Sequence, residues 1–299
     1  MSSPDVSAPD VSSAQPPWWQ ASDDAELAAF INEALAGDPD IACRIARLQE
    51  VRQNASSKSV GASVRRLLQR DSQAHLQSEI AKHADGLAGR RIEIARRTTL
   101  AYFEVRRLQR RKALQAALFE QYRDNREVAQ FRQEAGLVPA IDSALAGTLE
   151  FSTKAEFGYA DAKLADAVAE LARQIHSEPE TLARRLGIPD TAEPGASTII
   201  LPDVKAALPV DPSLVEARKA AEQAVRDARS AYRQGAGSFS ALYVAEVAML
   251  SVEQAIIDAQ SRSAASEALE KFAGNQDWAR QVPPMINSTD ESGEALACE

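Results

Sequence analysis

Cysteine, histidine and aromatic residues are all scarce in this chain, and each scarcity removes a class of function. Two cysteines in 299 residues, Cys43 and Cys298, give no metal-binding spacing and imply no disulfide framework, so cysteine usage sets no compartment. Three histidines, His75, His83 and His176, are scattered, and the eight-residue step between the first two is not a zinc spacing. No Gly-rich phosphate loop, Gly-x-Ser-x-Gly elbow or Cys–His pairing occurs. The sequence therefore offers no basis for catalysis, and no enzyme, cofactor or metal is expected. Aromatics make up 5% of the chain, which with abundant Ala suits long helices better than a thick core. No apolar run is long enough for a transmembrane helix. The N-terminal stretch MSSPDVSAPDVSSAQPP lacks the basic and apolar regions of a signal peptide and reads as a disordered tail. A formal net charge of −9 gives a nucleic-acid partner little support.

What is present is a segment that occurs twice. Phe131 to Leu149 reads FRQEAGLVPAIDSALAGTL, and Tyr232 to Leu250 reads YRQGAGSFSALYVAEVAML, in ungapped register. Each has an aromatic, Arg-Gln, Ala-Gly and a long Ala-rich run, so the fold is read as two copies of one unit. Gly136 and Gly237 can take positive φ without steric cost, as the turn of a helical hairpin requires. Pro139 can open the next helix. Beyond each turn the spacing is heptad-like. Copy one has Ile141, Ala144, Thr148, Phe151, Ala155, Gly158, Ala162, Ala165, Ala169 and Ala172; copy two has Leu242, Ala245, Met249, Val252, Ile256 and Ala259. This is a narrow coiled-coil seam whose small residues let helices approach closely.

A second echo precedes the first. ALAGDPDI from Ala34 and ALPVDPSL from Ala207 each hold an Asp-Pro step. Asp38 and Asp211 are predicted helix caps, with Pro39 and Pro212 at the first helical positions. From Arg91 to Glu134 there is no Pro or Gly, which predicts one long incoming helix. Its basic pairs, Arg90–Arg91, Arg96–Arg97, Arg106–Arg107 and Arg110–Arg111–Lys112, walk around the helix and suit solvated or inter-helix charge roles. The expected organisation is a tail at 1–22, helical repeat one at 23–187, a Pro-rich linker at 188–212 with one short strand at Thr198–Leu201, a shortened repeat two at 213–278, and a tail at 279–299. The fold class is all-α: long antiparallel coiled-coil helical hairpins in two unequal repeats, with little or no β.

The segment Pro17 to Ile41, PWWQASDDAELAAFINEALAGDPDI, resembles the opening of TolC-like outer-membrane efflux proteins. FRQEAGLV is similar to that family's Arg-x-x-x-Gly-Leu-Val hairpin tip, and AYFEVRRL at 101–108 to the helix entering it. The resemblance implies a homotrimer whose hairpins form a periplasmic α-barrel. Its partners would be a periplasmic adaptor and an inner-membrane pump, and its place the outer membrane and periplasm. It carries partner-binding tips onto Gly136, Leu137, Val138, Gly237, Ser238 and Phe239. Acids ringing a channel entrance fall on Asp142 and Glu246, although Tyr243 occupies the place of Asp142 in copy two. In the family each repeat also supplies a β-hairpin to a membrane barrel. Here Ser56 to Arg90 occupies the first hairpin's place without alternation or an aromatic girdle, and the second has no counterpart. Two alternatives stand beside the efflux conduit: a soluble helical scaffold that has lost the barrel, and an incomplete efflux gene product.

Overall fold

The structure, a computed structural model, describes residues 16–60, 69–188 and 211–281, with side chains outside 55–73. Residues 189–210 of the linker, with the expected strand, and 282–299 of the C-terminal tail lie outside the described residues; Ala279 and Arg280, expected to open that tail, belong to a short helix. All regular structure among the described residues is helical. A 3₁₀ turn at Trp18–Ala21 precedes α1 (Ala25–Gly37), α2 (Pro39–Val60), α3 (Gln69–Glu134), α4 (Ala140–Gln174), α5 (Pro179–Arg185), α6 (Pro212–Gln234), α7 (Phe239–Gly274) and α8 (Asp277–Arg280). The chain forms two compact units. The first takes Met1–Thr99, Gln174–His176 and Ala268–Glu299; the second takes Leu100–Arg173 and Ser177–Glu267.

In the first unit, local sequence sets the helix starts. Asp24 accepts the Leu27 N–H at 2.9 Å, and Asp38 accepts that of Ile41 at 2.9 Å, satisfying donors the helices leave orphaned. Pro39 is the first residue of α2, as its fixed φ favours. Leu27, Phe30, Ile31 and Ala34, spaced for one helix face, are buried with Leu48, Leu87, Ile94 and Ala95. The tryptophans of the opening segment pack there too. Trp19 lies 4.6 Å from the Trp278 ring and 5.6 Å from Phe272, and Trp18 lies 5.3 Å from Phe272. Asp38 also holds Arg90 at 2.9 Å. Cys43 is buried and disulfide-bonded. A bridge was not expected, because the sequence has one other cysteine, Cys298, so remote that no spacing signal exists; it lies outside the described residues.

Arg91 clamps the end of this unit. Its Nη1 donates to the carbonyls of Trp278, Ala279 and Gln281, at 3.2, 3.0 and 2.5 Å, and the guanidinium lies 5.2 Å over the Trp278 ring. These acceptors lie at the end of a short helix, where few backbone donors remain, and the Trp278 carbonyl also accepts from the Gln281 N–H. Arg91→Ala is expected to destabilise the unit by about 2 kcal/mol. Amide exchange at residues 277–281 should rise with it; unchanged exchange there would remove the clamp.

In the second unit, α3 and α4 form one hairpin and α6 and α7 another. Helix α3 begins well before Arg91. Gly86 and Gly89 each cost roughly 1 kcal/mol in a helix, but the intervening Leu87 and Ala88 are buried and hold it. Gly136 takes φ 70° and closes α3, with the Leu137 N–H donating to Arg132 O at 2.8 Å. Asp211 caps α6 through the Ser213 N–H, ahead of Pro212. The second turn departs from expectation: the left-handed residue is Gly235 (φ 79°), not Gly237. Gly237 is needed for a different reason. A Cβ there would sit 3.0 Å from Ala231 Cβ and 3.1 Å from the Tyr232 nitrogen.

The two seams face opposite ways. In α7, Leu242 and Ile256 are buried and Ala245, Met249, Val252 and Ala259 half-buried, so the seam points inward. In α4, Ile141, Ala144, Thr148, Phe151, Ala155, Gly158, Ala162 and Ala165 are all exposed. The inner face of α4 is built instead from Ala146, Thr153, Phe157, Leu164, Val168 and Leu171. Only at Ala172 does the predicted seam turn in. A straight helix drifts about 20° per heptad against a 3.5-residue repeat, which accounts for the change of face.

The basic run on α3 serves inter-helix pairing. Arg107 and Arg111 reach Asp258 at 3.1 and 2.7 Å, Arg110 donates to Gln260, and buried Lys112 pairs with Asp161. Helix α7 corrects one reading of the sequence. By length and composition it could cross a membrane, with mean hydropathy 1.4 over its most apolar stretch. Small residues raise that average without forming the large-side-chain run a reader looks for. Its Glu246 and Glu253 pair with Arg229 and Arg218 of α6, at 3.3 and 2.7 Å, which fits a helix packed in a bundle.

Candidate functional site

The two hairpin ends of the second unit come together. Ala129 of α3, Ala146 of α4, Tyr232 of α6, and Phe239 and Leu242 of α7 form one buried cluster, with Val128, Leu149 and Ala228 packed around it. The small residues at 129 and 146 admit the two rings, which meet edge-on at 5.6 Å. Arg132 ties the ends together. It is buried, its guanidinium lies 4.6 Å over the Tyr232 ring, and Nη1 donates to the Tyr232 carbonyl. Burial raises the Tyr232 phenol pKa, and the Asp142 carboxylate adds to the effect.

The residues proposed for the tips separate under this packing. Gly136 and Ser238 are exposed, Leu137 is 66% exposed, and Val138 and Gly237 are half-buried. Phe239 is only 1% exposed. It holds the second turn from within and displays nothing. Two residues read from the sequence as the repeat's aromatic and the first seam position, not as tip residues, belong to this surface: Phe131 and Ile141, 70% and 71% exposed, flank Leu137 on either side of the first turn. Their signal was available, since both are large and apolar at the ends of helices whose inner faces other residues already filled.

The two acids placed in parallel by sequence have unlike surroundings. Asp142 is half-buried in the first turn of α4. Glu246 is 2% exposed. Asn125 Nδ2 donates to its Oε1 and Oε2 at 3.1 and 3.0 Å, and Arg229 lies at 3.3 Å. Burial raises its pKa, and these partners offset only part of that rise. Glu246 is therefore an internal strut joining α3, α6 and α7, and the expectation that it lines an opening does not hold within the protomer. The neighbouring Tyr122 phenol is pushed up strongly, by burial first and by the Glu246 charge second. Among the described residues no three His, Cys, Asp or Glu side chains gather as metal donors.

No family model matches the sequence, and no curated protein matches it. Solved structures do match the fold. The outer membrane protein VceC from the bacterial pathogen Vibrio cholerae aligns with a TM-score of 0.67 and 16% identity, over 88% of this chain and 99% of that one. The outer-membrane channel OprN aligns with a TM-score of 0.65 and 15% identity, over 90% of this chain and 94% of that one. At this identity the likeness is one of fold. The helical hairpins of this chain share the fold of these two outer-membrane proteins.

Proposed function

We propose that this chain is one protomer of an oligomeric helical conduit of the outer-membrane efflux kind, and that its hairpin ends dock the other components. The observation that carries the reading is the seam on α4. A folded protomer that leaves Ile141 and Phe151 at 71% and 78% exposure, in a stripe of small residues at heptad spacing with Tyr159 beside it at 66%, has a face made for another helix. The shared fold with two outer-membrane proteins supports a passive role in transport. The disulfide at Cys43 supports an oxidising compartment such as the periplasm. By the same resemblance the assembly is a homotrimer and its partners are a periplasmic adaptor and an inner-membrane pump. They would meet Leu137, Val138, Gly136 and Ser238, with Phe131 and Ile141 alongside.

The test is assembly. Native mass spectrometry and cross-linking of the full chain are expected to give a closed oligomer, and Phe151→Glu to weaken it by more than tenfold while leaving helicity unchanged. A protein that stays monomeric at every accessible concentration would sink the reading. Leu137→Ser is expected to weaken docking of a periplasmic adaptor protein by roughly tenfold, without loss of stability, because the side chain is already in water. Equal adaptor affinity in the variant and the parent would remove Leu137 from the docking surface.

A second reading rests on α3. That helix occupies 69–90, much of the stretch that stands in the place of the family's membrane hairpin. A helical scaffold without a barrel accounts for this directly. Fractionation separates the two: recovery in the outer membrane supports the conduit, and recovery outside it the scaffold.

A further inference from the structure

We infer that the second hairpin carries a basic groove that takes an acidic helical segment of a partner protein. The inference rests on the reading of the hairpin ends as docking sites. An open surface depression of about 300 Å³ along the last turns of α6 is lined by Arg226, Arg229, Ser230, Arg233 and Gln234. The three arginines share one face of α6 and reach its last turn. In a chain of net charge −9 this is a local reversal of sign.

Pairing sets these arginines apart from others in the molecule. Arg90, Arg107 and Arg111 close on Asp38 or Asp258 at 2.7 to 3.1 Å. In the groove, Arg226 has its nearest carboxylate, Glu222, at 3.9 Å and otherwise meets Gln223. Arg229 shares the buried Glu246, at 3.3 Å, with Asn125. Arg233 has no acidic partner among the described residues. The groove thus holds three guanidinium groups against two carboxylates, Glu222 and Glu246, and Arg233 is the one left to fork onto a partner's carboxylate.

Geometry selects the occupant. The arginines rise about 4.5 Å and 6 Å along α6, which matches carboxylates three and four residues apart on a facing helix. The α4 face of a neighbouring copy fits poorly, whereas its α3 exposes Asp124, Glu127 and Glu134 and is the competing occupant that the peptide has to displace. The exposed face of α4 near the hairpin end is Ile141, Ala144, Leu145, Thr148 and Phe151, and its Glu150 is already paired with Arg126. A lone small anion would satisfy one arginine of the three.

The probe is a fluorescein-labelled helical peptide carrying Glu at three-, four- and seven-residue spacing, with a Gln peptide of the same length as control. Fluorescence anisotropy with the full chain is expected to show binding of the Glu peptide alone. Affinity should fall at least tenfold with Arg233→Glu or Arg226→Glu, and several-fold with Arg233→Gln, a milder change at an exposed site that keeps the fold. Raising salt from 50 to 300 mM should weaken it further. Lys219→Gln removes a cation of α6 outside the groove and is expected to leave peptide affinity unchanged, while adaptor docking is read on Leu137→Ser, so failure of the groove and failure of the tip reading appear in different measurements. Equal binding of the Gln peptide, no binding of either, or an unchanged affinity in Arg233→Glu would overturn the proposal. So would saturable binding of inorganic phosphate abolished by Arg233→Glu without peptide binding, which would make this a free-anion site.

Discussion

Phe239→Ala is expected to cost about 3–5 kcal/mol of unfolding free energy, the largest loss of any single side chain near the hairpin ends. The ring is 1% exposed, stacks edge-on against Tyr232, and lies in a cluster to which both hairpins contribute. Its removal leaves a cavity bounded by Tyr232, Leu242, Ala129 and Ala146, with backbone that collapses only in part. Urea unfolding followed by circular dichroism measures the effect. Leu137→Ala, in the same pair of turns, should change stability by less than about 0.5 kcal/mol. If the two variants proved equally stable, the assignment of Phe239 to the interior would be wrong. A partner-binding role for Phe239 would then have to be reconsidered, since its present burial leaves nothing for a partner to touch.

The second large effect concerns Glu246. Its carboxylate is held by Asn125 and Arg229 inside the bundle, and its folded-state pKa is raised above 4.5 because burial outweighs those contacts. Arg229→Ala removes the compensating cation and leaves the carboxylate buried, at a cost of about 3 kcal/mol at pH 7. The lower end of the usual range applies because Arg229 is one-third exposed. Between the unfolded pKa and the raised folded value, the folded state binds more proton than the unfolded one. Stability therefore falls as pH rises through that window and levels off above it. Glu246→Gln abolishes the fall, so it is expected to exceed the parent by about 1 kcal/mol at pH 7 and to match it at pH 4. The Arg229→Ala penalty should shrink over the same descent. A pH profile identical in the parent and in Glu246→Gln would show that Glu246 titrates as an ordinary exposed acid.

Local chemistry was legible in the sequence, and tertiary choice was not. The Asp-Pro starts at Asp38 and Asp211, the hairpin turn at Gly136 and the long run of α3 follow from capping, backbone freedom and the absence of breakers, and each appears where its residues dictate. The inter-helix use of Arg107, Arg111 and Lys112 was also foreseeable, because basic residues that wind around a helix meet neighbours on several sides. Facing was harder. Two seams with one spacing point opposite ways, since periodicity marks a stripe without saying what covers it. The duplicated segment placed Gly237 opposite Gly136, yet the second turn is made at Gly235, where α6 ends. Aligning Asp142 with Glu246 hid the difference that matters, which is that Asn125 and Arg229 enclose one of them. Phe239 lay at a turn and looked displayed, while a pair of alanines on the other hairpin had already made room for it.

The outward stripe on α4 also bears on how stability should be reported. Any association that covers Ile141, Phe151 and Tyr159 binds the folded chain and not the unfolded one, so mass action ties the melting temperature to protein concentration. A tenfold increase in chain concentration then acts as a ligand would, and a single melting temperature describes one dilution of this protein.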